Sequence, residues 1–219
     1  VISVLIPAAG SGERLGLGAK ALLELNGVTL LSRAIQSFDG FADEIIVALP
    51  QNFLELPLQN ARAVAGGSSR QESVRNLLNA ATGDVVLIHD AARPFLPKAV
   101  IERILEGVYS TGAATAALPA SDTLVLENAG LWGSVVDRSS IRAVQTPQGF
   151  KRELLLEAHK KALLEGVTAT DDAGLVARLG LPVALCLGDE RLFKVTRAGD
   201  WALARAFAPV WDADKLSNA

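Results

Sequence analysis

The chain has one cysteine, Cys186, so no intramolecular disulfide can form and no disulfide framework can stand in for a hydrophobic core. Set in the apolar run LPVALCLG, that thiol is expected to be buried and to take no part in catalysis. Surplus positive charge is also missing. With 21 Lys and Arg against 24 Asp and Glu, the formal net charge is -3, and no long Lys/Arg cluster interrupts the balance. A nucleic-acid partner held by a global basic field is therefore excluded, and any basic group that matters acts singly. No run approaches the roughly 20 apolar residues of a membrane span, because the first apolar stretch is broken by Pro7 and the glycines after it. Residues 1 to 6 lack the basic flank and the length of a signal peptide and read as a first core strand, so the expected place is the cytoplasm, or an organelle matrix if a targeting segment has been removed. Internal repeats and low-complexity tracts are absent as well.

What is present is ordinary globular material. The chain has 219 residues, half of them hydrophobic and 21% charged. At that length, roughly two thirds of the unfolded surface can be buried in one core, so a single domain over residues 1–219 is expected. Four short runs are almost continuously apolar: VISVLI at 1–6, EIIVAL at 44–49, DVVLIH at 84–89 and AATAAL at 113–118. Continuous rather than alternating apolar runs suit parallel strands buried on both faces. Helical patterns lie between them at 28–38, 71–81 and 97–110, the last opening with Pro97 and aligning Val100, Ile101, Ile104 and Leu105. Helices return at 151–165, 172–179 and 200–207, with further strands at 61–65 and 182–187. The expected fold is α/β and Rossmann-like: a mostly parallel central sheet with helices on both faces. Residues 119–143 break the pattern with turn residues Asn128, Ala129 and Gly130 between short β-prone stretches, and with Trp132 far from any core. A two-stranded ribbon is marginal alone. This segment reads as a projecting β-arm that either covers a second copy of the chain or lies on its own domain.

PAAGSGERLGLGAK follows the first strand. The dinucleotide fingerprint G-x-G-x-x-G fails here, since the glycine after Gly10 and Gly12 comes one place late, at Gly16. The Walker loop fails too, because Lys20 is flanked by Ala19 and Ala21. What remains is a turn whose backbone N–H groups can converge on an anion, with Arg14 offering a planar fork and Lys20 a mobile point charge. Such a set suits a triphosphate; the other reading is a tight strand-to-helix turn with solvated basic side chains.

A second cluster, HDAARPF at 89–95, follows the strand DVVLI. Open α/β sheets bind ligands beyond the carboxyl ends of their strands, and an aspartate there is a hard oxygen ligand of the kind Mg²⁺ takes alongside substrate phosphates. Asp90 is thus a metal candidate, or else a helical N-cap. Arg93 either reaches a second phosphate or is a surface arginine, and His89 reads as a satisfied core histidine. GGSSRQES at 66–73 either caps the next helix or presents backbone and hydroxyl groups to a base and ribose. QTPQGF at 145–150 and TATDDAG at 168–174 come later, and Thr170, Asp171 and Asp172 form an N-cap signal. Lys194, in FKVT, is an exposed edge residue or a charge aimed into a site.

In that order, PAAGSGERLG followed by Lys20, then GG..R..SV, HDAARPF, DT, VDR, QTPQGF, TDDA and KVT, spread over residues 7 to 196, resemble the 2-C-methyl-D-erythritol 4-phosphate cytidylyltransferase family of the non-mevalonate isoprenoid pathway. The related ribitol-phosphate cytidylyltransferases are the nearest competitor, and a non-catalytic CTP-binding domain is a further alternative. The resemblance implies a fold of the nucleotide-diphospho-sugar transferase type. It also implies transfer of CMP from CTP to a small polyol phosphate with Mg²⁺, for which Mn²⁺ or Co²⁺ can substitute. By it, Arg14, Lys20 and Lys194 are catalytic, Arg14 and Lys20 clamping the triphosphate. Ala8, Ala9, Gly10, Gly12, Gly67 and Ser73 hold the nucleotide, and Asp90 binds metal and substrate. Arg93, Thr146, Thr170 and Lys194 line the acceptor site, with Thr123 and Arg138 arriving from the neighbouring subunit's arm in a homodimer. Where the family usually has Pro-Lys-Gln, this chain has Ala19-Lys20-Ala21, and Ser68 stands where many members have aspartate.

The acceptor phosphate monoester is ionised near neutral pH and can itself attack the α-phosphorus, so no protein general base is nominated. The protein's work is to align two anions and to stabilise the charge of departing pyrophosphate.

Overall fold

Val4 and Ile6 turn to one face of the first strand and Leu5 to the other, and all three are fully buried, as expected of a strand covered on both sides. The computed structural model describes residues 1–10 and 20–217. Its elements, in chain order, are β1 (Ile2–Pro7), β2 (Glu24–Leu25), β3 (Val28–Thr29), α1 (Leu30–Gln36), β4 (Glu44–Leu49), β5 (Arg62–Ala65), α2 (Arg70–Ala80), β6 (Val85–Ile88), α3 (Lys98–Thr111), β7 (Ala113–Pro119), β8 (Leu124–Asn128), β9 (Leu131–Val136), β10 (Arg142–Lys151), α4 (Arg152–Leu164), α5 (Asp172–Ala177), β11 (Ala184–Leu187) and α6 (Ala198–Ser217).

Seven strands form the main sheet in the order β11-β7-β10-β6-β1-β4-β5. β1 pairs in parallel with β4 and β6, β4 with β5, and β7 with β11. The four apolar runs, β1, β4, β6 and β7, all point the same way, as expected, and the sheet is mostly parallel with one exception. β10 runs antiparallel between β6 and β7, so these two expected neighbours never touch. Its sequence, RAVQTPQGFK, disguises it, because Pro147 and Gly149 are poor strand residues. Gly149 is there for packing: a Cβ would stand 2.6 Å from Ile104 and 2.7 Å from Val108, so α3 can lie close on the sheet only over a bare backbone.

The two faces of the sheet carry separate cores. One joins Val4, Ile6, Ile45, Val47 and Leu87 to Leu31, Ile35 and Phe38 and to the α3 stripe Val100, Ile101, Ile104 and Val108. The other joins Leu5, Ile46, Val86, Ile88 and Phe150 to Val74, Leu77 and Leu78 of α2, with Leu155 of α4 and Val176 of α5. Caps mark the helix starts: Thr29 accepts from the N–H of Ser32, Ser69 from that of Glu72, and Asp171 from that of Gly174. Gly112, at φ 86, ends α3 in the left-handed conformation. The last helix is longer than its apolar pattern suggests, continuing past Pro209. Ala204, Ala208 and Trp211 keep it packed with Phe95 and Val195 in a third core, which outweighs the local cost of proline. Cys186 is only partly buried, since β11 is an edge strand; its thiol donates to the carbonyl of Arg103 at 3.3 Å.

β8 and β9 form a separate antiparallel ribbon, turned by Ala129 (φ 49) and Gly130 (φ 81). Leu131 and Trp132 are 73% and 70% exposed on it, with Leu126 and Val135 also open.

Glu44 ties the start of β4 to β1 and to the turn before β6. Its carboxylate accepts from the Ser3 hydroxyl at 2.6 Å and from the Thr82 N–H and hydroxyl at 2.6 and 2.9 Å. Burial alone would raise its pKa, but the Ser3 and Thr82 hydrogen bonds outweigh that and lower it from 4.5 to about 2. Because the folded value lies below the unfolded one, this stabilisation is complete above pH 4.5 and is lost as pH falls towards 2. Glu44→Gln should therefore cost about 1 kcal/mol near neutral pH. In thermal melts the gap between variant and parent should close across that acidic window; a gap of constant size would contradict the assignment.

Candidate active site

The carboxyl ends of β1 and β6 meet at one edge of the sheet, and the start of β10 joins them because it runs the other way. A cavity of about 450 Å³ opens there, lined by residues that include Ala8, Ala9, Gly10, Lys20, Gly67, Ser73, Asp90 and Lys194. These nominated residues, from five separate parts of the chain, are thus brought together. Gly12 and Arg14 lie outside the described residues. A larger groove of about 810 Å³ between α1, residues 56–60 and Trp211 contains none of the nominated side chains.

The floor of the cavity is two turns in contact. The N–H of Ala8 donates to the carbonyl of Ala48, and that of Gly66 to the carbonyl of Leu49. A Cβ on Gly66 would fall 2.2 Å from that of Ala9, so the GGSSR turn can lie against the first loop only with glycine there. Ser73 is buried, with its hydroxyl accepting from the N–H of Gly67 at 3.0 Å and donating to the carbonyl of Ser69 at 2.9 Å. It shapes the turn, while Ser69 does the capping that the pattern suggested. Ser68 gives its own hydroxyl to Glu72 at 2.6 Å.

Asp90 lies two residues past the end of β6, after His89, and is 8% exposed. It is not a helix cap: one carboxylate oxygen accepts from Lys194 Nζ at 2.7 Å and the other from Arg70 Nε at 3.2 Å. Burial pushes its pKa up, yet the charges of Arg70, Lys194 and Arg93 outweigh burial and hold the carboxyl well below the usual carboxylate range. Lys194 thus points into the site. Its stretch is not a strand, as expected from FKVT, but an extended segment held by the N–H of Val195 on the carbonyl of Ala92 at 2.9 Å. Lys20 reaches the same segment, donating to the carbonyl of Val195 at 2.9 Å. Two lysines far apart in sequence therefore flank residues 194–195.

Thr146 is buried behind Asp90, accepting from its N–H at 3.1 Å. The same hydroxyl lies 3.1 Å from His89 Nδ1, and His89 Nε2 lies 3.0 Å from the carbonyl of Arg93. A carbonyl only accepts, so Nε2 carries the proton and Thr146 donates to Nδ1. Burial lowers the His89 pKa to about 4, so the ring is a neutral structural link, as its place at the end of a buried strand suggested. Thr146 reaches Asp90 through the register shift in β10 between Val144 and Gln148. Arg93 is partly buried, donates to the carbonyl of Leu192, and adds its field at Asp90 without lining the cavity.

The remaining nominations stand apart. Thr170 is exposed, one residue before the Asp171 cap, and does not line the cavity. Thr123 and Arg138 are exposed on the arm segment, where Arg138 donates to the carbonyl of Ser121. The arm contributes none of the cavity's own lining.

Sequence reasoning passed over one residue. Arg70, the arginine of the motif GG..R..SV that was given no role of its own, lines the cavity and bridges Asp90 to Asp172, with Nη1 2.8 Å from the second acid. Asp172 in turn meets His159 Nε2 at 3.0 Å. The signal was a fork-shaped cation at the start of a helix directly after two glycines, but nothing local named its partners.

Among the described residues no three His, Cys, Asp or Glu side chains form a metal cage. The donor set nevertheless suits Mg²⁺, which takes one or two carboxylates and draws its other ligands from phosphates and water. Asp90, held ionised and lining the cavity, is a carboxylate of that kind.

The sequence profile of the 2-C-methyl-D-erythritol 4-phosphate cytidylyltransferase family matches residues 2–209. A Deinococcus radiodurans protein of that name is 57% identical over 205 residues, 93% of this chain and 88% of that one. One from Thermus thermophilus is 47% identical over 212 residues, 97% and 99% of the two chains. The crystal structure of a Thermus thermophilus enzyme of the same name superposes with a TM-score of 0.87 at 44% identity, covering 94% of this chain and 98% of the other. Profile, relatives and fold agree, and the chain belongs to the 2-C-methyl-D-erythritol 4-phosphate cytidylyltransferase family.

Proposed function

We infer that the cavity at the carboxyl edge of β1 and β6 is where CTP meets the acceptor phosphate. The chain is a cytidylyltransferase: it transfers CMP from CTP to 2-C-methyl-D-erythritol 4-phosphate, giving 4-diphosphocytidyl-2-C-methyl-D-erythritol and pyrophosphate. The observation that carries the placement is the convergence of Lys20, Lys194 and Asp90 on one cavity floored by two glycine turns.

The division of labour follows from charge. Ala8, Ala9, Gly10 and Gly67 offer backbone to the base and ribose, and Ser73 keeps the Gly67 turn in shape. Lys20, with Arg14 and Gly12 of the same loop, holds the triphosphate. An oxygen of the acceptor phosphate attacks the α-phosphorus and the bond to the β-phosphate bridging oxygen breaks. No protein proton transfer is needed, because both partners are anionic throughout. Lys194 and Arg93 steady the acceptor phosphate with Thr146 and Thr170 beside it, and Asp90 helps place the acceptor's alcohol. Asp90 would hold Mg²⁺, for which Mn²⁺ or Co²⁺ could substitute, and the ion would supply positive charge to phosphate oxygens.

The exposed apolar side chains of the arm, Leu126, Leu131, Trp132 and Val135, support a homodimer in which a second copy covers them and the partner's arm brings Thr123 and Arg138 to the acceptor. The single domain then spans residues 1–219 with 119–143 as its arm. Among the described residues no helix is long and apolar enough to cross a membrane. The proposed compartment is the cytoplasm.

An acceptor panel with CTP tests this reading. Pyrophosphate release with methylerythritol 4-phosphate should exceed that with ribitol 5-phosphate by about 100-fold in kcat/KM. Preference for ribitol 5-phosphate would move the chain's substrate to the related branch, and CTP binding with no release on any acceptor would remove the activity.

A further inference from the structure

We propose that Arg70 is a positioning residue for the transfer: it holds one oxygen of Asp90 from the α2 side of the cavity, so that Lys194 can leave that carboxylate for substrate without stranding a buried charge. The inference rests on the role of Asp90 stated above.

Two carboxylates, Asp90 and Asp172, and two cations, Arg70 and Lys194, form one chain of contacts. Arg70 uses different nitrogens of its fork for the two acids, Nε to Asp90 at 3.2 Å and Nη1 to Asp172 at 2.8 Å. Only a planar guanidinium spans two acids in this way; an ammonium is a single point of charge. The far end of the bridge is rigid. Asp172 is 1% exposed and His159 is 2% exposed, and they meet at 3.0 Å. The N–H groups of Asp172 and Ala173 both donate to Gln148 Oε1 at 3.1 Å, and Gln148 is fully buried in β10. Asp172 is therefore fixed to the sheet through its backbone and to α4 through its side chain, and Arg70 inherits that rigidity.

The near end is different in character. Lys194 is 40% exposed and sits on a non-regular segment, whereas Arg70 is 28% exposed and held at both ends. When a phosphate enters, the ammonium is the partner free to turn towards it. Asp90 would then be a nearly buried carboxylate without its closest cation, a costly state unless another charge remains. Arg70 remains, and by keeping one oxygen engaged it leaves the other directed into the cavity for a divalent cation. Without Arg70, Lys194 would stay on Asp90 and both the cation and the acceptor would lose a ligand.

The test uses Arg70→Gln, Arg70→Lys and Asp90→Asn in the full chain, with thermal melting in the absence of metal as a check on folding. For both Arg70 variants kcat should fall about 10- to 100-fold, with the KM for CTP changed far less. Calorimetric titration with CTP, with and without Mg²⁺, supplies a readout apart from turnover: the gain in CTP affinity that Mg²⁺ confers should shrink about tenfold in Arg70→Gln. Arg70→Lys keeps the charge and so guards against a Gln variant that does not fold; its turnover should still be lowered, because charge without the fork does not bridge. Parent-like turnover in Arg70→Lys, or an unchanged Mg²⁺ effect in a folded Arg70→Gln, overturns the inference. Asp90→Asn separates the two levels. If it is severely impaired while the Arg70 variants behave as the parent, only the role of Arg70 falls; if it is itself parent-like, the role assigned to Asp90 falls with it.

Discussion

Replacing Lys20 with alanine is expected to lower turnover by about 100-fold or more, the scale seen when a charge-stabilising donor is lost from a transition state. The side chain lines the cavity and its ammonium lies on the carbonyl of Val195, directly beside Lys194, the residue bound to Asp90. As pyrophosphate departs, negative charge builds on oxygens around the α-phosphorus, and a cation that can turn from a neutral carbonyl onto those oxygens gains most at that moment. The loss should fall mainly on kcat, with a smaller change in the KM for CTP, since backbone groups of the two glycine turns keep the nucleoside end. Lys20→Arg should recover little, because a rigid fork cannot follow a moving charge as an ammonium does. Steady-state rates within threefold of the parent would sink the assignment.

The second large effect concerns the arm. Arg138→Ala alone should also reduce kcat/KM by about 100-fold, although Arg138 is exposed on a segment that adds nothing to its own chain's cavity. The expectation follows from a dimer in which each site is completed by the other copy. Mixing Lys20→Ala with Arg138→Ala subunits then yields mixed dimers with one site that has both defects and one that has neither. After full exchange, roughly a quarter of all sites should be intact and the rate should rise to match. Mass spectrometry of intact dimers verifies exchange independently; verified exchange with no recovery would show that Arg138 serves no partner site. Trp132, at 70% exposure, reports on the same contact, since its fluorescence should shift on dilution below the dissociation concentration.

Much of this site is legible in the primary structure, for a local reason. Asp90 comes just after four buried apolar residues and His89, and a carboxylate beyond such a run emerges at the carboxyl edge of a parallel sheet. Glycine pairs mark where backbone comes close to something, and Gly66 shows what: the β-carbon of Ala9. The histidine at 89 reads correctly as structural, because a ring that ends a buried strand must satisfy both nitrogens nearby. β10 is harder. Gln145, Thr146 and Gln148 are buried polar residues next to a proline, a pattern that resembles a loop. Their hydrogen-bond partners are supplied by Asp189, His89, Thr115 and the first residues of α5, none of them near in sequence.

The positions of most helices and of the apolar strands, the two-faced burial of the central strands, the caps at Ser69 and Asp171, and the place of Asp90 follow from the order of residues, because each depends on neighbours within a turn or two. The fold alone decides which charges meet. Lys194 and Asp90 are 104 residues apart, Arg70 and Asp172 are 102 apart, and Lys20 lies 175 residues before the carbonyl it touches. Side chains at such separations are joined by the order and direction of strands in the sheet, above all by the reversed strand between β6 and β7. No periodicity within either segment records that arrangement, since the free energy that sets it is shared over the whole core.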